Sequence, residues 1–402
     1  MWFMHIYDEG GGGRTLTMES RGNPATEAKL VEAAVKLFSQ KWYGIVSVAE
    51  ICREAGLSNG VFYRYFDGKE TLFRRILGSV LDLIRANVDS VSGSDARDRL
   101  RAFARSIVEV SERHPDLIAV FREGQYRLFE YEQRLVAIYT RALGTALGRE
   151  AGLPEYLFAL GGIRFCAIRR SLHGSSVDLD SLFSILEGGL FRGLEFDTSM
   201  VFGGSASPLP LALEESARER LLRSGKRLFG EKGFFETNIH EVTDGAGLSV
   251  GAFYTYFESK ESFYSELIAQ VGHEVRTFIA RNIEREGARE LNRLERELRG
   301  LWLWLVYLSM DKNCYTIVRE AEFVLPAAVR EYYGAFISGY RKNPEGNSFP
   351  LGTIDEGTAI EFLLGLAHYF GIELAFDESP ANARAVVETI GGYLSKGFSD
   401  YL

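Results

Sequence analysis

Apolar residues recur at helical spacing through most of the chain. Leu30, Ala33, Ala34, Leu37 and Phe38 fall at i, i+3, i+4, i+7 and i+8, the stripe of a helix with one buried face. A second helix is predicted from Ser47, since Ser47-Val48-Ala49-Glu50 has the form of a capping box, in which hydroxyl and carboxylate satisfy each other's backbone N–H groups. Gly56 stands where that helix would end in the left-handed region, and Ser58 caps a third helix two residues later. Two short helices around a glycine-containing turn make a helix-turn-helix. Taking Phe62 as inward puts Phe66 on the core one turn later. Gly60, Tyr63 and Arg64 are then left on the solvent side.

This pattern is written twice. Ala55 to Phe73 reads AGLSNGVFYRYFDGKETLF and Ala246 to Tyr264 reads AGLSVGAFYTYFESKESFY, with 11 of 19 positions identical at an offset of 191 residues. A repeat of this length implies two complete units rather than a solenoid. Leu30, Leu37 and Phe38 match Leu221, Leu228 and Phe229, and Asn238-Ile239-His240-Glu241 supplies the second capping box. Further on, Arg122 to Tyr126 aligns with Arg319 to Phe323 at an offset of 197, and Gly161 to Ile168 aligns with Gly365 to Ile372 at 204. Each unit therefore has a well-kept head and a loosely kept body.

The expected organisation is a disordered leader over 1–22, heads over 23–73 and 214–264, bodies over 74–195 and 265–402, and a linker over 196–213 with a Gly-Gly-Ser-Ala-Ser-Pro core. The fold class is all-α. The bodies are expected to pack on each other as an intramolecular pseudo-dimer through Phe158–Ser171 with Leu182–Leu194 and Phe362–Ala375 with Val387–Phe398. Gly161, Gly162, Gly365, Ala367 and Gly371 would permit close approach.

Composition narrows the function classes. An apolar content of 46% over 402 residues supports sizeable cores, and three cysteines without metal spacing fit a reducing compartment. The leader has no signal-peptide h-region, and the most apolar run, Leu301 to Met310, is too short to cross a bilayer, so a cytoplasmic protein with no membrane role is expected. No Ser-His-Asp order, phosphate loop, dinucleotide turn or metal spacing is apparent, so neither catalysis, metal nor cofactor is expected. The net charge of −9 argues mildly against nucleic acid, and from Asn23 to Phe73 six Lys/Arg face six Asp/Glu. Attraction to phosphate would then be local to a few side chains.

The solvent-facing residues of the third helix answer that objection. A glycine lets a backbone approach closely, a tyrosine hydroxyl reaches phosphate, and an arginine can read a guanine edge. In the second unit the same face carries Gly251, Tyr254 and Thr255. AGLSxGxFYxYFxxKE after an amphipathic helix resembles the TetR/AcrR family of bacterial transcriptional regulators, specifically over about fifty residues of each unit. The resemblance implies homodimer-like regulators whose third helix enters the major groove of a palindromic operator, with an inducer pocket in the helical body. Residue by residue, it assigns DNA contacts to Ser58, Gly60, Tyr63, Arg64, Tyr65 and Lys69, and to Ser249, Gly251, Tyr254, Thr255, Tyr256 and Lys260; Asn59 and the capping residues Ser47 and Asn238 are further candidate DNA contacts. Thr237 would bring a hydroxyl to phosphate. Val46 at the equivalent place departs from the family pattern.

A repressor released by a small, hydrophobic effector is the implied function, with double-stranded operator DNA as partner. Candidate pocket residues are Arg122, Tyr126, Arg164, Phe165, Trp304, Arg319, Phe323, His368 and Tyr369. Arg122-Glu123 and Arg319-Glu320 are read as inter-helix ion pairs, or as orienting a ligand. The acidic charge leaves an alternative, a helical scaffold or ligand-binding protein in which one or both heads no longer bind DNA.

Overall fold

The computed structural model describes residues 23–210, 216–284, 289–341, 352–376 and 382–402. The expected leader, residues 211–213 of the linker and the first two residues of the second head lie outside them. The described residues form helices and no strand, and none of those helices is long and apolar enough to cross a membrane.

The first head is built from α1 (Pro24–Gln40), α2 (Val48–Glu54), α3 (Asn59–Phe62) and the start of α4 (Lys69–Asp89). Leu30, Val31, Ala33, Ala34, Leu37 and Phe38 bury one face of α1, as the periodicity requires. Ser47 and Glu50 close the capping box of α2, and Gly56 takes a φ of +67°. A body helix, α6 (Pro115–Arg127), completes this compact unit, which runs to Leu83 and adds His114–Tyr131.

The other compact unit holds the remainder of the first body, the second head and the second body. The first body contributes α5 (Ala96–Arg113), α7 (Phe129–Leu147), α8 (Leu153–Tyr156), a π turn at Leu157–Gly161, α9 (Gly162–His173) and α10 (Leu179–Gly188). After the short α11 (Thr198–Phe202), the order repeats. The second head is α12 (Ala217–Glu236), α13 (Ile239–Ala246), α14 (Val250–Tyr256) and the start of α15 (Lys260–Asn282). The second body is α16 (Arg293–Met310), α17 (Asn313–Val324), α18 (Pro326–Arg341), α19 (Glu356–Phe376) and α20 (Ala383–Lys396).

The two bodies meet through α8 to α10 against α19 and α20. Glycine makes this close: a Cβ on Gly365 would stand 2.4 Å from the Gly161 carbonyl oxygen, and one on Gly162 would stand 2.1 Å from the Phe362 ring. Phe158 fills the centre, with ring centroids 5.4 Å from Phe362 and 5.2 Å from Phe398. Burying a phenylalanine of this kind contributes about 2–3 kcal/mol. Arg169 meets Glu361 at 3.1 Å, and the ends of α10 and α20 exchange backbone bonds, Phe191 N–H to Leu394 and Phe398 N–H to Leu186, both at 2.8 Å.

The expected linker is not free along its described length. Met200 and Val201 are buried, and the Asn282 side chain holds the backbone of Ser207 through both its amide groups. The buried Arg299 guanidinium donates to the carbonyls of Val201, Gly203, Asn282 and Ile283 at 2.7–3.1 Å. Linker composition describes what a segment tolerates. A buried arginine of α16, 98 residues along the chain from Val201, decides where this one lies.

Candidate nucleic-acid interface and cavity

Both third helices present the faces that the pattern implies. Phe62 and Phe66, and likewise Phe253 and Phe257, are buried, whereas Tyr63 is 59% exposed and Tyr254 57%. Arg64, Thr255, Ser58, Asn59, Ser249, Gly60 and Gly251 are also exposed, and a Cβ on Gly60 would meet nothing within 4 Å. The heads differ in detail. Ser249 caps α14 through the Ala252 N–H at 3.2 Å, whereas Ser58 makes no side-chain cap and α3 is a single turn. Thr255 folds its hydroxyl back to the Gly251 carbonyl at 3.2 Å, but Arg64 projects from the equivalent place. The Tyr65 hydroxyl accepts the Asn23 N–H at 2.9 Å and so braces the start of α1, whereas Tyr256 is 45% exposed.

Other assigned residues face inward. Thr237 is buried, and its hydroxyl donates to the carbonyls of Gly233 at 2.8 Å and Leu228 at 3.1 Å. It closes the end of α12 and is not available to phosphate, which corrects the role drawn from the resemblance. Val46 is equally buried, so its departure from the family pattern concerns packing. The Lys69 ammonium donates to the Tyr43 and Val46 carbonyls, each at 2.7 Å, and Lys260 lies 4.4 Å from the Phe234 ring centroid. Burial lowers both lysines' pKa. A phosphate contact by either ammonium would have to displace these partners. Ser47 and Asn238 are exposed caps that accept the N–H groups of Glu50 and Glu241. The Ser47 backbone and hydroxyl bonds, with Lys41, hold the Glu50 carboxyl down at about 2.

The paired Arg-Glu motifs do something that neither of their expected readings described. Buried Glu123 accepts the Tyr43 N–H at 2.8 Å, and in the second unit Glu320 accepts the Phe234 N–H at 2.7 Å. In the first head the carboxylate thus holds the turn that follows α1, and in the second it holds the last turn of α12, just beyond the kink at Gly233. Arg319 pairs instead with Glu322, at 2.6 Å.

A cavity of about 460 Å³ opens in the second body. Trp304, Arg319 and His368, anticipated from the sequence, line it. Phe323 and Tyr369 do not, and Tyr369 lies 4.1 Å beneath the Arg164 guanidinium. Arg164 itself is buried and paired bidentately with Glu132 at 2.7 and 2.9 Å, while Phe165 sets its ring 5.4 Å from Tyr333 and 5.7 Å from His368. Arg122 and Tyr126 belong to the first compact unit and Arg164 and Phe165 to the other. Sequence reasoning missed Arg276, Glu297, Gly300, Glu322, Tyr332 and Tyr333 on the cavity wall. The offset of 197 sets Gly300 opposite Phe103, but helical spacing accepts either residue and does not mark a cavity.

Two helix-turn-helix heads, each joined to an all-helical body, define a helix-turn-helix transcriptional regulator. The chain belongs to the tetR family of bacterial regulatory proteins, whose model matches residues 30–76 and again 221–267. The uncharacterised HTH-type regulator YdgC of Bacillus subtilis is 29% identical over 188 residues, which are 45% of this chain and 94% of that protein. HTH-type transcriptional regulator HbdR of Aromatoleum sp. is 26% identical over 226 residues, 50% of this chain and 96% of HbdR. Nearly all of each relative thus corresponds to about half of this chain, as tandem copies require. A third similar protein, YuxN of Bacillus subtilis, is 34% identical over 101 residues, and this chain covers 24% of itself and 35% of that relative's length there. Among solved structures, the fatty acid degradation regulator FadR of Bacillus halodurans covers 46% of this chain and 96% of its own, with 13% identity and a TM-score of 0.39.

Proposed function

We propose that this chain is a ligand-responsive repressor that does in one polypeptide the work of a dimer, acting in the cytoplasm on a pseudo-palindromic operator with unequal halves. The observation that carries this reading is a duplicated solvent-facing surface with unequal chemistry, exposed Asn59, Tyr63 and Arg64 in one head against half-buried Val250 and exposed Tyr254 and Thr255 in the other, on bodies joined by a buried interface. Two-fold protein symmetry mirrors operator symmetry, and fusion lets each half diverge. The effector acts by favouring a head arrangement that does not fit the operator. In the second unit the route is short. Arg319 of α17 lines the cavity, and its neighbour Glu320 holds the Phe234 N–H in the last turn of α12, the first helix of the head.

The test is a mobility shift with DNA upstream of the protein's own gene across a salt series, with footprinting of the bound site. A regulator of this kind protects two half-sites, and its affinity falls linearly on a log–log salt plot with a slope of about −0.9 per phosphate neutralised. Light scattering of the free protein should give a mass near 45.1 kDa. An obligate species of twice that mass would refute the one-chain dimer, and binding without sequence preference would refute the operator.

A further inference from the structure

The cavity lies in the second body, and where its wall has Gly300 the first body carries the buried ring of Phe103. α5 and α16 have equal length and align at an offset of 197, which sets Gly300 on the cavity wall against Phe103. A Cβ on Gly300 would meet nothing within 4 Å, whereas Phe103 is fully buried, with its ring edge toward Tyr139 at 6.4 Å. At the same offset Val329 stands against Glu132, and at 204 His368 stands against Arg164. In the first body those two charges neutralise each other in a buried bidentate pair, and Arg164 also donates to the Tyr156 hydroxyl. Phe103 thus stands at the wall position of Gly300 and the paired Arg164 at that of His368, while Val329, the counterpart of Glu132, lies off the cavity wall.

The charges around the cavity are uneven. Four arginines line it, against two glutamates. Arg319 takes Glu322 at 2.6 Å, Arg293 takes Glu297 at 2.6 Å, and Arg296 takes Glu284 at 2.5 Å. Among the described residues no carboxylate pairs with Arg276, which is half-buried and lies 5.3 Å from the Phe336 ring. Burial lowers its pKa, the mark of a guanidinium that has lost water without gaining an anion. The remaining walls include Ile279, Leu301, Trp304 and Tyr332. A ligand carboxylate would give Arg276 the charge-assisted bond that it lacks, while an apolar body covers the aromatic walls.

We propose that each chain has one effector site, in the second body, that it takes an apolar molecule ending in a single anionic group held by Arg276, and that the first body is a filled structural partner. This rests on the reading that the bodies sense a ligand. The experiment is calorimetric titration of the full chain, without DNA, with decanoate and with the neutral 1-decanol. Decanoate should bind at one equivalent per chain, at least tenfold more tightly than decanol. Arg276→Gln should erase that preference, and Gly300→Phe should abolish binding of both. Two equivalents per chain, equal affinity for the two probes, a Gly300→Phe protein that still binds, or no binding of either probe would each overturn the proposal. If Gly300→Phe does not fold, the half-exposed Arg276→Gln change carries the test. DNA is absent throughout, so failure of the operator experiment leaves this result standing, and failure here leaves that one standing.

Discussion

Glu123 makes the stability of the first head depend on pH. Its carboxyl is 2% exposed, and burial raises its pKa to about 7, against the lowering influence of the Tyr43 N–H, Arg127 and Lys69. A carboxyl that ionises at 4.5 in the unfolded chain and about 7 in the folded one is favoured in its protonated form by folding. The contribution is therefore present in full below about pH 4.5 and is lost as pH rises through about 7, costing roughly 3 kcal/mol at pH 8. Glu123→Gln keeps a carbonyl oxygen for the Tyr43 N–H and removes the titration. Amide hydrogen exchange of the peptide covering α1, corrected for intrinsic rates at pH 5, 6.5 and 8, reads the effect. The parent should lose protection across this range, and the variant should stay flat and be the better protected of the two at pH 8. A parent whose protection does not change with pH, or a variant that loses it in parallel, would refute the reasoning.

Three further outcomes follow from the geometry. Arg64→Ala should cost about 1–3 kcal/mol of operator affinity and relax one half-site only, so equal losses across both halves of a footprint would count against unequal heads. Arg299→Ala leaves the carbonyls of Val201, Gly203, Asn282 and Ile283 without their common donor. It should cost about 2–5 kcal/mol and open residues 196–210 to limited proteolysis, and an unchanged cleavage pattern would show that the strap is held otherwise. Gly365→Val places a Cβ 2.4 Å from the Gly161 carbonyl oxygen. Thermal unfolding should detect a loss of at least about 1–3 kcal/mol, because backbone cannot yield as a flexible side chain does.

The helices, their caps and the inward and outward faces of α3 and α14 were legible because they are local. A period of 3.6 residues, a capping box and a left-handed glycine each act within one or two turns, so Phe62 and Phe66 could be set against Tyr63 and Arg64 from spacing alone. Side-chain partners across helices were not legible. Thr237 resembles a phosphate-binding hydroxyl in the string of residues, yet it closes its own helix end. Glu123 and Glu320 look like members of ion pairs, yet they hold backbone N–H groups of their own heads. Arg299, in an ordinary amphipathic stripe, gives no hint that it fastens a glycine- and serine-rich segment.

By itself the sequence determined that this protein is two units in tandem, all helical, each with a head that turns an aromatic and polar face to solvent. Duplication and periodicity survive in the string, since both are regularities of one dimension. Only the tertiary structure decided which body is open. Gly300 and Phe103 sit in equivalent helices, and either residue satisfies the same helical pattern. Whether the space beyond them is filled depends on side chains from α15, α18 and α19, which meet there only after the chain has folded.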